Sequence, residues 1–429
     1  MILLTTIASL SLAMSDASQA APDLSNPYRL EAKFDPKTGA LSVTGTMDVV
    51  ADRRTESLKL LLNDGLVVRS FTADGKPGKV EPRATFGGET VPGAQAIVIS
   101  LARPLETGER LTLRFSYDGA ITTDRIKVGR GIVSPAWTEL TFESFWYPVL
   151  IEEQLIRSEL ILSVPERYDV VGPGVAQRIA PGRWRLDPEG VVAGRITFAL
   201  SDRWHVERRM LKPGLQAALY TMTPEARAGE ILDSVTGAFA AFTGLFGPPR
   251  TQKERITLLY PNAGIGVKYP NQAFATGGDF IVMSKGEVKG QLETLQHEVA
   301  HLWWSRGRPG TADEFLSESI SEYLANRRGG EMFGSRWLAD RRASMAKRSA
   351  AIQASLLDLN GGGAAPRQPL LYDRGPTALW SLHDRIGETA MNQLLQEAYR
   401  GDIGGLEQFL RLVEKRHGAE TLNWFRAQL

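Results

Sequence analysis

Five histidines occur in 429 residues, and two of them stand four apart in the run His297-Glu298-Val299-Ala300-His301. On a helix, positions four apart share a face, so both imidazoles can reach one metal ion. Glu298 follows the first His directly and can aim its carboxylate at a water on that ion. Such a water has a depressed pKa, and a carboxylate in hydrogen-bond reach can take its proton as it attacks a carbonyl. With so few histidines, chance yields this pattern on the order of once in several hundred such sequences.

A second run, Leu316-Ser317-Glu318-Ser319-Ile320-Ser321-Glu322-Tyr323, carries two carboxylates at the same helical spacing. If it packs on the first helix, Glu318 can be the third ligand. Glu322 can then accept the free ring N–H of a ligating His, which fixes the tautomer and raises ligand basicity. Taken alone, Glu318 and Glu322 would read as a solvated helix face. Beside the His pair, the ligand reading is preferred. Three protein ligands leave one position open, the arrangement of a catalytic zinc. The chain has no cysteine, which excludes thiolate ligation and a disulfide framework. One Zn2+ per chain, held by His297, His301 and Glu318, is therefore expected.

The elements that must position these groups fall into two parts. Leu41 to Val50, Leu58 to Leu62, Ala96 to Leu101, Arg110 to Tyr117, Leu160 to Val164, Asp169 to Val171, Trp184 to Leu186 and Gly194 to Leu200 are short strand-like runs. Turn chemistry such as Asn63-Asp64-Gly65 and Asp74-Gly75-Lys76-Pro77 punctuates them. An antiparallel β domain of sandwich type follows, with bounds at residues 22–207. After it, Arg255 to Tyr260 and Phe280 to Met283 read as strands. Thr223 to Phe246, Glu287 to Arg306, Asp313 to Arg327, Ser335 to Leu357, Pro376 to Ile386 and Leu406 to His417 carry helical periodicity. The fold class is thus multidomain α and β, the second domain mainly α over residues 208–429. The clusters Arg341-Arg342 and Lys347-Arg348 sit at helical spacing and read as a solvated face.

Fifty basic residues against 49 acidic ones leave a net charge of +1, so a nucleic-acid partner and a polybasic membrane contact are excluded as expectations. Ile2 to Met14 is an apolar run too short to span a bilayer, and Ser18-Gln19-Ala20 places small residues before Ala21. This pattern reads as a secretory signal over residues 1–20, hence a secreted or periplasmic bacterial product. No Lys or Arg precedes the apolar run, which is consistent with a start lying upstream of Met1. No transmembrane segment is expected, and oligomeric state is not legible.

From these residues the chain resembles the M1 family of metallopeptidases, the gluzincin aminopeptidases. His297 to Trp303 (HEVAHLW) is similar to the family's HELAHQW, Leu316 to Leu324 (LSESISEYL) to its LNEGFAEYL, and Tyr372-Asp373-Arg374-Gly375 to its Tyr-Glu-Lys-Gly. Trp146-Tyr147-Pro148 and the runs after it look like the end of the family's N-terminal β domain. The resemblance implies a saddle-shaped β domain on a thermolysin-like zinc-peptidase domain acting on peptides. It also implies that Tyr372 donates a hydrogen bond to the developing oxyanion, a charge present only in the transition state.

Three departures bear on this reading. The spacing from His301 to Glu318 is two residues shorter than the family's. The Gly-x-Met-Glu-Asn segment, whose Glu would anchor a substrate α-amine, is replaced by Asn271-Gln272-Ala273-Phe274-Ala275-Thr276-Gly277-Gly278-Asp279. Asp279, or Glu139 or Glu143 of the β domain, are the candidate substitutes. The chain also ends before the family's large C-terminal helical domain would begin. The expected activity is zinc-dependent peptide hydrolysis as an aminopeptidase. The alternatives are an endopeptidase or amide hydrolase with no free-amine requirement, and a peptide-binding protein that has lost catalysis. His205, His383 and His417 lie outside any ligand spacing, and Gly264-Ile265-Gly266 reads as a turn or a substrate-edge loop rather than a phosphate cradle.

Overall fold

The computed structural model describes residues 26–429 apart from 52, 87–88, 124–130, 151–154, 187–191, 194–195, 251–253, 263–273, 277–278, 284–287, 309 and 362–365. The leader-like start, Gly264-Ile265-Gly266 and the flanks of Phe274–Thr276 lie outside the described residues.

The first part is built from alternating strands. In Ala40–Val50 every second side chain is buried over most of the length, with Leu41, Val43, Met47 and Val49 at 2% exposure or less. That two-residue period gives the sheet one apolar face. Nine strands form the main sheet, with Leu155–Ser163, Asn26–Asp35, Ala40–Val50, Arg110–Ala120 and Leu66–Ala73 as its successive central members. Pairing is antiparallel except between Asn26–Asp35 and Leu155–Ser163, which run parallel. A four-stranded sheet centred on Thr55–Asn63 and Ala94–Leu105 lies apart from it in the pairing. One core joins the two, including Leu60, Leu62, Leu113 and Leu162, all fully buried.

A third, four-stranded sheet (Gly131–Ile132, Thr138–Leu140, Phe198–Ser201, Asp169–Val171) faces the second part. Ile132, Trp137, Val171 and Ala199 pack there in one cluster with Ala218, Tyr220, Leu259, Phe280 and Val282. Trp204 bridges the seam, edge-on to Trp137 at 4.8 Å and to Tyr220 at 5.3 Å.

The second part opens with a five-stranded sheet in the order His205–Lys212, Leu215–Thr221, Arg255–Tyr260, Phe280–Val282, Phe274–Thr276. The three inner strands are parallel and the two edges antiparallel. Because His205–Lys212 pairs wholly within this sheet, the expected boundary at 207/208 falls inside a strand. Among the described residues seven helices of twelve residues or more follow: α1 (Ala228–Phe246), α2 (Val288–Ala300), α3 (Glu318–Phe333), α4 (Ser335–Ala350), α5 (Gly375–Ile386), α6 (Glu388–Arg400) and α7 (Leu406–Arg426). Helix α6 has no counterpart in the periodicity reading. Gly387, with φ at 83°, separates it from α5 by a single left-handed residue. Helix α2 stops at Ala300, six residues before the expected end, because Trp303 and Trp304 turn into the core. Trp303 meets Phe239 and Phe242 at 5.5 and 5.7 Å, and Trp304 meets Phe246 at 5.5 Å. The helix expected from Asp313 is a 3-10 turn over Ala312–Leu316 that breaks before α3.

Candidate metal centre

Helix α2 is held against its neighbours by Leu292, Leu295 and Val299, all at 3% exposure or less. Their spacing of three and four residues is one helical face. His297 and Glu298 sit on the last turns of this helix, each 5% exposed, and His301 follows one residue past its end. Helix α3 packs on α2 and brings Glu318 at its first position towards both rings.

The resulting cluster is tight. One ligand atom each from His297, His301 and Glu318 lies within 4.8 Å of the others. Glu318 Oε2 is 3.4 Å from His297 Nε2 and 3.8 Å from His301 Nε2. Glu298 Oε2 comes to 3.9 Å from His301 Nε2. Both Nδ1 atoms are engaged on the far side: His297 donates to Glu322 Oε2 at 3.1 Å, and His301 donates to the Trp304 carbonyl at 2.9 Å. With Nδ1 protonated on each ring, both Nε2 lone pairs are left for one ion.

The electrostatics favour a cation here. Glu298 and Glu318 lie against the two imidazoles, while Glu293 and Glu322 pair with Arg341 at 2.7 Å each. Burial alone would lower the pKa of His297, but Glu318, Glu322 and the charge of Glu298 outweigh it and hold it well above the ordinary value. Burial pushes Glu318 up, yet His301, His297 and the Tyr372 hydroxyl hold it far below the usual carboxylate range. Glu322 is likewise lowered to about 2 against its burial, by its hydrogen bond and attraction to His297 and by Arg341. A nitrogen and oxygen donor set with this excess of negative charge fits a zinc ion.

Tyr372 belongs to a π-helical turn, Leu370–Arg374, inserted before α5. Its hydroxyl donates to Glu318 Oε2 at 2.6 Å, and its ring stacks on His297 at 5.6 Å. The turn is pinned by Arg348, which donates to Asp373 at 2.8 Å, and by Arg374, which donates to the carbonyls of Ser349 and Ile352.

The amine-contact candidates are placed differently. Asp279 is 2% exposed and accepts from the Gly174 backbone N–H across the seam between the two parts. Glu139 is fully buried within Thr138–Leu140. Burial of this degree is shared with Glu298, at 5% exposure, so both stay candidates for the substrate amine. Glu143, half-buried on a 3-10 turn over Phe142–Ser144, is the third.

Arg341 was misplaced by sequence reasoning, which put it on a solvated face. It lies on the face of α4 that carries the buried Met345 and Ser349, and that four-residue spacing was the signal for it. Among the described residues no helix is long and apolar enough to cross a membrane.

No protein-family model matches the chain, and no curated protein matches its sequence. Solved structures do match. The M1 zinc metallopeptidase of Deinococcus radiodurans aligns at a TM-score of 0.63 and 18% identity, over 94% of this chain and 93% of that one. The chain has the fold of the M1 zinc metallopeptidases. A two-domain M1 zinc metallopeptidase variant bound to L-arginine aligns at a TM-score of 0.65 and 18% identity, with the same coverage. Leukotriene A4 hydrolase of Saccharomyces cerevisiae aligns at 0.65 and 15% identity over 94% of this chain, which spans 66% of the yeast protein. The two-part M1 architecture, a β region followed by a mainly helical one, thus accounts for nearly the whole chain.

Proposed function

We propose that the chain is a zinc-dependent peptidase that hydrolyses peptide bonds as an aminopeptidase. The observation that carries this reading is the convergence of His297, His301 and Glu318 within 4.8 Å, with Glu298 Oε2 3.9 Å from His301 Nε2 and the Tyr372 hydroxyl 2.6 Å from Glu318 Oε2. When bound, zinc supplies a Lewis acid and a water of lowered pKa. Glu298 takes the proton of the attacking water and returns it to the leaving amine. Tyr372 turns its hydroxyl from Glu318 to the oxygen that gains charge in the tetrahedral state. Glu322 and the Trp304 carbonyl keep the two imidazoles in the Nδ1–H tautomer throughout. Asp279, Glu139 and Glu143 are the proposed contacts for the substrate amine. The M1 metallopeptidase of Deinococcus radiodurans has been captured as a variant with a Tyr-Ser-Ala substrate, a free short peptide of the kind proposed here. The leader-like start supports a secreted or periplasmic location.

Replacement of the Gly-x-Met-Glu-Asn segment by Asn271 to Asp279 favours a second reading, in which no carboxylate anchors the amine and internal bonds are also cut. One short peptide, free and N-acetylated, given to the parent and to Glu298→Gln at matched zinc content, separates the two. The aminopeptidase reading expects cleavage of the free peptide only, and only by the parent. Cleavage of both forms would establish the second reading. No cleavage of either by zinc-loaded parent would sink both.

A further inference from the structure

The π-turn that carries Tyr372 leaves one carbonyl in difficulty. The Gly375 N–H is given to the Leu370 carbonyl, five residues back. The Leu371 carbonyl would next look to Gly375, already engaged, or to Pro376, which has no N–H. Leu371 is fully buried, so water does not offer a remedy. Ser319 supplies the donor: its hydroxyl meets the Leu371 carbonyl at 2.7 Å. Ser319 is itself fully buried and is the residue directly after Glu318. The approach of α3 to α5 here is very close, since a Cβ at position 375 would lie 2.0 Å from Ser319 Oγ.

We propose that Ser319 is a positioning residue for Tyr372. The Leu371–Tyr372 peptide unit is planar, so anchoring its oxygen fixes the plane from which the Tyr372 side chain departs. One hydroxyl thereby couples the metal ligand Glu318 to the oxyanion donor. The matching position in LNEGFAEYL, the family run that the sequence resembles, is Gly, which has no hydroxyl to give. The proposal rests on the reading of Tyr372 given above.

The test is a double-mutant cycle of Ser319→Ala and Tyr372→Phe on the zinc-loaded full chain, together with amide hydrogen exchange of residues 371–375. In the parent background Ser319→Ala should lower kcat about tenfold with KM and zinc affinity little changed, and in the Tyr372→Phe background it should change kcat by less than about twofold. Equal losses in both backgrounds, or none in either, overturn the proposal. Exchange at 371–375 should rise about tenfold in Ser319→Ala, and unaltered exchange overturns the proposal even in a preparation that cleaves no peptide. An inactive zinc-loaded parent would thus remove the peptidase reading while the exchange comparison still decides the anchor. Should Ser319→Ala not fold, Ser319→Cys, similar in size but a weaker donor, is compared with the parent by the same two readouts and is expected to shift both in the same direction. No shift in either overturns the proposal.

Discussion

The Tyr372 hydroxyl and Glu318 Oε2 are 2.6 Å apart, and the same oxygen faces both His297 Nε2 and His301 Nε2. The phenol therefore reaches the point on which the candidate ligand atoms converge, where the proposed reaction would place the substrate carbonyl. Tyr372→Phe should lower kcat by about 10²–10³, with zinc content unchanged and KM within about twofold. Steady-state kinetics with metal analysis reads this. A loss confined to KM would mean that Tyr372 only binds substrate.

Glu322 is shared between His297 and Arg341, its two oxygens serving different partners. Glu322→Ala removes the acceptor that fixes the His297 tautomer and leaves Arg341 to Glu293. Zinc affinity in a chelator competition is expected to fall about 10- to 100-fold. Unchanged affinity would show that the ring is held well enough by its stacking on Tyr372.

Gly375 has no room for a side chain, because the Ser319 hydroxyl occupies the space. Gly375→Ala should destabilise the fold by about 1–3 kcal/mol, as overpacking of a buried contact does. It should also displace the Ser319 hydroxyl from the Leu371 carbonyl. Urea unfolding at equal zinc loading measures the first effect, and an unaltered midpoint would mean that α5 shifts freely.

His383 gives the fold a pH dependence of definite sign. Burial, with Arg327 nearby, lowers its pKa from 6.5. Tyr323, pushed up to about 12 by burial, keeps its proton and lies with its hydroxyl 2.6 Å from His383 Nδ1. The unfolded chain takes up the proton first, so this contribution is present above pH 6.5 and is lost as pH falls through the folded value. His383→Gln should flatten that part of the stability profile. An identical slope below pH 6.5 in parent and variant, read by urea midpoints, would remove His383 as its source.

Much of the site was legible because its residues are local. His297, Glu298 and His301 lie within two helical turns, and Glu318 with Glu322 repeat the same four-residue period on the next element. Helical spacing alone therefore predicts which groups share a face. The strand runs of the first part were equally readable from their two-residue alternation, as Ala40–Val50 illustrates.

The remainder depended on contacts between elements distant in sequence, which carry no periodic trace. Arg341 looks like any exposed basic residue until α4 is laid against α3, and only then does its charge meet Glu293 and Glu322. Asp279 and Glu139 were chemically suitable as amine contacts, and the packing of the two parts buried them. The π-turn at Tyr372 gives the Gly375 N–H to Leu370, and Ser319, more than fifty residues earlier, answers the Leu371 carbonyl. Donor types and their spacing could be read from the chain alone, since these are properties of one helix at a time. The tertiary structure decided which charges face one another and which are buried, because both depend on distances that only the packed chain sets.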